Sequence, residues 1–134
     1  MSPARYAIGL GCDRGTPQAT LQQVLDEALA GIGAQLAQVA AAASIDLKAD
    51  EPGLLALAAT HGWAMRFYPA EQLADVPVPH PSETVRRHTG TPSVSEAAAL
   101  LAGGGLPMTA LVVPKHKHRG ADGCHATISI ARMS

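Results

Sequence analysis

The sequence predicts an α/β fold, a three-layer α/β/α sandwich with a mostly parallel sheet and an antiparallel C-terminal hairpin. Three observations carry that prediction. Short apolar runs that suit buried strands alternate along the chain with stretches whose apolar residues recur at helical spacing. Glycines, prolines and capping residues fall at the joints between them. The 134 residues are 47% apolar and 16% charged, enough for one domain over residues 1–134 to bury a sizeable core. That core must be aliphatic, because the chain has one Phe, one Trp and two Tyr.

Arg5 to Gly11 is an apolar run ending in glycines and reads as a first buried strand. After the loop Gly11-Cys12-Asp13-Arg14-Gly15, Thr16 suits an N-cap and Pro17 the first helical position. Leu21, Val24, Leu25, Ala28 and Leu29 then form the apolar stripe of a helix. Gln38 to Ser44 has little periodicity and reads as a short strand. Asp50-Glu51-Pro52-Gly53 opens a second helix with Leu54, Leu57 and Ala58 on one face, and Gly62 suits its C-terminal cap. Trp63 to Tyr68 alternates as a strand ended by Pro69. A helical turn and a rigid loop with Pro77, Pro79 and Pro81 follow. Ser82 is expected to cap a short helix toward Gly90. Ser93-Val94-Ser95-Glu96 matches a capping box ahead of Ala97 to Leu101, and Gly103-Gly104-Gly105 stops that helix. Leu111-Val112-Val113 reads as a buried central strand. Pro114 to Cys124 reads as a polar connection, and His125 to Ala131 as a last strand with Ala126, Ile128 and Ile130 on one side.

Composition excludes several functions. Ten Lys and Arg against eleven Asp and Glu give a net charge of −1, without the clustered basic excess of a nucleic-acid binder. No window approaches the ~20 apolar residues of a membrane span, and the N-terminus lacks a signal-peptide pattern. The two cysteines, Cys12 and Cys124, pair only if folding joins them, so a cytoplasmic protein is expected. The apolar, weakly charged composition is compatible with a homodimer.

Several residues are candidates for chemistry. Gly11, Cys12, Arg14 and Gly15 form a glycine-rich loop before a helix, where backbone N–H groups and the dipole favour an anion. The glycine spacing matches neither a dinucleotide fingerprint nor a Walker loop, and a tight strand-to-helix turn explains it equally well. Ser44-Ile45-Asp46-Leu47-Lys48-Ala49-Asp50-Glu51 lies where open α/β sheets place their ligand crevice. There Lys48 suits a carboxylate, and Asp46 and Glu51 suit proton transfer, whereas capping accounts for Asp50. Ser82, Thr89, Gly90, Thr91, Ser93 and Glu96 gather around two helix starts, where capping is the alternative reading. Lys115-His116-Lys117-His118-Arg119 is the densest charge cluster and reads as an anion-attracting patch or a solvated hairpin tip. His116 and His118 would share one side of a strand, but no third ligand is near them in sequence, so no metal is expected. Cys12 is a minor nucleophile candidate, since a helix N-terminus would lower its pKa. No Gly-x-Ser-x-Gly elbow is present, which argues against a serine hydrolase.

These motifs carry a resemblance. Gly9-Leu10-Gly11-Cys12-Asp13-Arg14-Gly15 resembles the opening Gly-x-Gly-Cys-x-Arg-Gly of the CobE/CbiG C-terminal family of cobalamin biosynthesis. Ser44 to Glu51 with Gly53-Leu54, Pro81-Ser82-Glu83 with Val85, and Thr89 to Leu100 are similar too. Lys115 and Ala126 to Arg132 resemble the family's closing lysine and final strand. The blocks run in order across almost the whole chain. The family has a standalone form, CobE, linked to the oxygen-dependent route, and a longer form, CbiG, with the domain at its C-terminus. The resemblance implies that the longer form opens a lactone on a cobalt-precorrin and releases acetaldehyde. With the first strand beginning by residue 5, the standalone form is expected here.

The resemblance implies a precorrin-type tetrapyrrole as ligand, near the ring-contraction step, and other corrin-pathway enzymes as partners. Such a macrocycle carries many carboxylates and calls for several separated donors. Arg14, Lys48, Lys115 and the loop amides are expected to supply them, with Thr89, Thr91 and Ser93 along the rim. One reading is a protein that binds, shields or hands on the intermediate. The alternative is a hydrolase or isomerase with Asp46, Glu51 or Glu96 as acid–base, acting on a precorrin lactone with release of a two-carbon fragment. A third reading is a generic phosphate- or nucleotide-binding domain using Gly11 to Thr16. No cofactor is expected.

Overall fold

The computed structural model describes residues 3–83, 87 and 93–134. One mixed sheet contains β1 (Tyr6–Cys12), β2 (Val39–Ile45), β3 (Arg66–Tyr68), β4 (Leu111–Arg119) and β5 (His125–Arg132) in the order β3-β2-β1-β5-β4. Among the described residues four α-helices cover it: α1 (Gln18–Gly31), α2 (Pro52–His61), α3 (Ala70–Ala74) and α4 (Val94–Ala102). Strand alternation sorts the side chains into two cores. Ile8, Leu10, Ile128 and Ile130 pack with Leu21, Leu25, Leu54 and Leu57 of α1 and α2. On the other face Ala7, Ala43 and Ile45 pack with Leu73 of α3 and Val94, Ala97 and Ala98 of α4. The three layers are those the sequence predicts.

The sheet is less parallel than expected. β1–β2 and β2–β3 are parallel, whereas β1–β5 and β4–β5 are antiparallel. Leu111-Val112-Val113 belongs to an edge strand, not a central one, and Pro114 to Arg119 extends that strand instead of forming a connection. The reason is chemical. Pro114 lacks an N–H and Lys115 to Arg119 are largely polar, so β4 suits an edge, while the aliphatic alternation of β5 suits the centre. Three boundaries also differ. α1 starts at Gln18 with Pro17 as its cap, because the Thr16 hydroxyl turns back to donate to the Asp13 carbonyl (2.7 Å). β3 is only Arg66–Tyr68, because the chain after Gly62 approaches β2 late. The expected helix from Ser82 toward Gly90 lies mostly outside the described residues. Gly62 caps α2 in the left-handed conformation (φ 72°), as expected.

Two glycines set how closely the layers approach. A Cβ on Gly9 would lie 1.9 Å from the Ser95 carbonyl oxygen and 2.5 Å from the Ala99 nitrogen, so the backbone of α4 rests directly on β1. Val94 faces Gly11 and Gly103 faces Ala7, so α4 runs antiparallel to β1. Its N-terminus therefore sits at the C-terminal ends of the parallel strands. A Cβ on Gly53 would lie 2.2 Å from the Thr16 carbonyl, which presses the start of α2 onto the loop after β1.

Gly9→Ala is expected to destabilise the protein by about 3 kcal/mol or more, since backbone atoms cannot yield as side chains do. Gly11→Ala, whose new Cβ would meet only Val94 at 3.9 Å, should cost less than about 1 kcal/mol. Urea unfolding of both variants checks the contrast, and equal losses would contradict it.

Candidate functional site

The loop after β1 fills its own anion slot. Arg14 Nη1 pairs with Asp50 Oδ1 (2.7 Å) and Glu51 Oε2 (3.3 Å), and Nη2 donates to the Leu47 carbonyl. The Gly15 N–H donates to Glu51 Oε1 (2.9 Å). Glu51 is only 2% exposed, so a buried carboxylate of the chain occupies the place where a bound phosphate would sit. The Arg14 guanidinium also holds the Asp50 carboxyl below the usual carboxylate range. Arg14 and Gly15 are thus engaged internally, and Glu51 has both oxygens in use, a structural clamp where the sequence suggested a ligand donor and an acid–base. The Ser44 hydroxyl is buried and donates to the Leu10 carbonyl (2.6 Å), joining β2 to β1.

Lys48 behaves differently. It is half-buried, and among the described residues its ammonium has no hydrogen-bond or ion-pair partner. It lies close enough to act electrostatically on Cys12, Asp13 and Asp50. Asp46 is exposed in the turn that presents it. Cys12 contradicts the expected activation. Burial pushes its thiol up to about 11, and Lys48 offsets that only in part.

On the other face, the N-terminus of α4 carries a buried polar group of side chains. Ser93, Ser95 and Glu96 are all at or below 2% exposed. The expected capping box does not form: Ser93 caps by backbone alone, and Glu96 turns away from it. Glu96 Oε2 accepts from His80 Nδ1 (3.0 Å), while Oε1 lies 4.0 Å from Lys115 Nζ. Lys115 Nζ donates to the His80 carbonyl (3.1 Å). Burial pulls the Lys115 pKa down, with Glu96 acting in the opposite sense. Among the described residues, Ser93 Oγ and Glu96 Oε1 are buried without hydrogen-bond partners. Beside them the Ser129 hydroxyl donates to the Pro114 carbonyl and lies 2.9 Å from Ser95 Oγ, from which it can accept.

Lys48 and the loop of Gly11 and Cys12 thus share one end of the sheet with Ser93, Glu96 and Lys115. Ser82 is half-buried at the margin of the described residues, and Thr89, Gly90 and Thr91 lie outside them. His80 was missed by sequence reasoning. The available signal was its position between Pro79 and Pro81, which present it rigidly. The basic cluster of β4 is not a solvated tip, because His116 and His118 both meet Glu27 of α1 (2.7 and 3.3 Å). Asp13 Oδ2 accepts from the His125 N–H (2.8 Å), latching the β4–β5 turn to the loop after β1. Among the described residues no three His, Cys, Asp or Glu side chains are grouped to hold a metal, and no helix is long and apolar enough to cross a membrane.

Glu51→Ala should cost about 1–3 kcal/mol in urea unfolding, because it strands the Gly15 N–H and half of the Arg14 fork. A loss below about 0.5 kcal/mol would contradict the clamp. Cys12 should react with iodoacetamide at pH 8 roughly 100-fold more slowly than an ordinary cysteine, following its smaller thiolate fraction. Peptide mapping of the alkylated protein reads that directly.

Comparison with known proteins places the chain in a family. The family model of the cobalamin synthesis G C-terminus matches residues 6–131. The chain is 40% identical over 102 residues to a cobalt-precorrin-5A hydrolase of Priestia megaterium, covering 76% of this chain and 27% of that protein. It is 37% identical over 103 residues to Protein CobE of a Sinorhizobium species, covering 75% of this chain and 67% of that one. The chain therefore spans about a quarter of the hydrolase and two thirds of the CobE protein. The crystal structure of a CobE from the cobalamin (vitamin B12) biosynthetic pathway superposes with a TM-score of 0.81 at 34% identity, covering 99% of this chain and 93% of that one. The chain belongs to the cobalamin synthesis G C-terminus family, the CobE and CbiG proteins of cobalamin biosynthesis.

Proposed function

We propose that the protein binds a precorrin-type tetrapyrrole at the C-terminal end of its parallel strands, gripping peripheral carboxylates of the macrocycle. The observation that carries this reading is the buried Ser93 hydroxyl at the start of α4, which among the described residues has no hydrogen-bond partner. Leaving a buried polar atom without a hydrogen bond costs about 1–3 kcal/mol, so a ligand carboxylate that accepts from Ser93 recovers that cost, whereas Glu96 Oε1 calls for a donor. The Ser93 hydroxyl can donate to a carboxylate, and Lys115 supplies a cation beside it. Lys48 supplies a second, unpaired cation nearer the loop of Gly11 and Cys12. Ser82, Thr89, Gly90 and Thr91 belong to the proposed rim through their resemblance to the family. Arg14 and Gly15 act indirectly, by fixing that loop.

One observation favours a second reading, hydrolysis of a precorrin lactone. Glu96 holds His80 through Nδ1, which leaves Nε2 available to take a proton from water, and His80 is 59% exposed toward solvent. The oxygen of that water would bond to the lactone carbonyl carbon as the ring C–O bond breaks, and the proton would pass to the leaving alkoxide. Asp46 is a further exposed carboxylate for this reading, whereas Glu51 is already engaged. Phosphate or nucleotide binding at Gly11 to Thr16 is disfavoured, because Glu51 fills that slot.

A visible-absorbance titration with precorrin intermediates, followed over time, tests both readings. A saturable shift that then stays constant is the expected result, and spectral conversion would make the protein an enzyme. The absence of a shift with every precorrin would overturn the proposal. Lys48→Ala should weaken binding by roughly 10- to 100-fold, the loss of one charged hydrogen bond of about 1.5–3 kcal/mol.

A further inference from the structure

The opposite end of the sheet carries a separate feature. β2 has seven residues, but β3 pairs only with Ala43, Ser44 and Ile45. Among the described residues, Val39 to Ala42 have no strand beside them on that side. The left-handed Gly62 (φ 72°) leads the chain out of α2 away from β2, and a cleft of about 690 Å³ opens between them. Ala40, Ala41 and Ala42 line it together with Leu36, Trp63 and Arg66. A smaller cleft adjoins at Ala37 and reaches Arg5. Arg5 and Arg66 are exposed and, among the described residues, have no ion-pair partner. No Asp or Glu lines either cleft.

The two sheet edges differ in a telling way. β4, the far edge, is blunted by Pro114 and by a row of basic side chains, devices that keep edges from pairing. The free half of β2 has only small apolar side chains. Its backbone runs as a strand whose pairing with β1 shifts register at Ala40 and is regular from Ala41, where an extended peptide can add.

We propose that this cleft receives an extended acidic segment of a partner protein, added as a strand beside Val39 to Ala42. Arg66 and Arg5 fix the sign of the partner's charge. They also oppose self-pairing, since two copies meeting at this groove would bring four arginines together with no lining carboxylate. The surface is independent of the tetrapyrrole site.

The test uses two capped heptapeptides, Thr-Val-Glu-Val-Glu-Val-Thr and its twin with Lys in place of Glu, titrated into the 15N-labelled protein. The glutamate peptide is expected to give saturable shifts at the amides of Ala40 to Ala42 and Trp63 to Arg66, with at least tenfold weaker binding of the lysine twin. The double variant Arg5→Glu with Arg66→Glu, both at exposed positions, should reverse that preference. No saturable shift at these amides, or equal binding of the two peptides, overturns the proposal. Concentration-dependent protection of the same amides without peptide would assign the groove to a second copy and overturn it as well.

Discussion

The contact of the α4 backbone on Gly9 is the constraint from which the site follows. With no side chain at Gly9, the Ser95 carbonyl and the Ala99 nitrogen sit where a Cβ would otherwise be. Ala97, Ala98 and Ala99 extend that close approach along the helix, and all three are fully buried. A helix held this tightly cannot tilt its first turn into solvent. Ser93, Ser95 and Glu96 are therefore buried at the sheet end instead of capping an exposed helix. Burial in turn makes partners necessary, and Ser129, His80 and Lys115 come from three separate segments to meet them. Among the described residues, Ser93 Oγ and Glu96 Oε1 still lack hydrogen-bond partners, with Lys115 Nζ 4.0 Å from the latter.

The loop after β1 shows the reverse economy. Its anion-binding potential is already satisfied by Glu51, and Gly53 lets α2 approach closely enough to deliver that carboxylate. A loop neutralised from within is a poor phosphate cradle but a rigid support for Lys48 and for the half-buried Gly11 and Cys12. The difference bears on ligand class. Phosphate sites concentrate amides and cations at one point, whereas Lys48 and Lys115 stand apart at one end of the sheet, an arrangement suited to a ligand with several carboxylates.

Much of this was legible in the sequence, for reasons that particular residues make plain. The stripe from Leu21 to Leu29 and the alternation of Ala126, Ile128 and Ile130 are one-dimensional records of which face is buried, and both faces match. Gly62 announced its helix end because only a left-handed residue fits there. The strand at Leu111 to Val113 misled because apolar content reports burial of a face, not position in the sheet, and the Pro and Lys that follow decided for the edge. Cys12 misled because nearness to a helix start in sequence ignores desolvation, which dominates its thiol. Glu51 and Glu96 looked alike as carboxylates near helix starts. Only the fold shows that one has both oxygens hydrogen-bonded and the other keeps an oxygen that makes no hydrogen bond among the described residues, since Gly15 and His80 reach them across 36 and 16 residues respectively.

The two ends of the sheet present different chemistry, and their separation matters. At about 3.3 Å per residue, the free stretch of β2 lies roughly 10 Å (Ala42) to 20 Å (Val39) from the strand end at Ile45. A strand added at Val39 to Ala42 would leave Lys48, Lys115 and Glu96 open. A tetrapyrrole at the crevice would likewise leave the β2 edge open. Both occupants would nevertheless act on one element, since β2 pairs with β1 at Val39 and from Ala41 to Ala43 and β1 is locked to α4 at Gly9. A protein that holds a ligand and passes it to a neighbour needs this division: a partner contact that does not cover the ligand, joined to the ligand site through the central strands of one sheet.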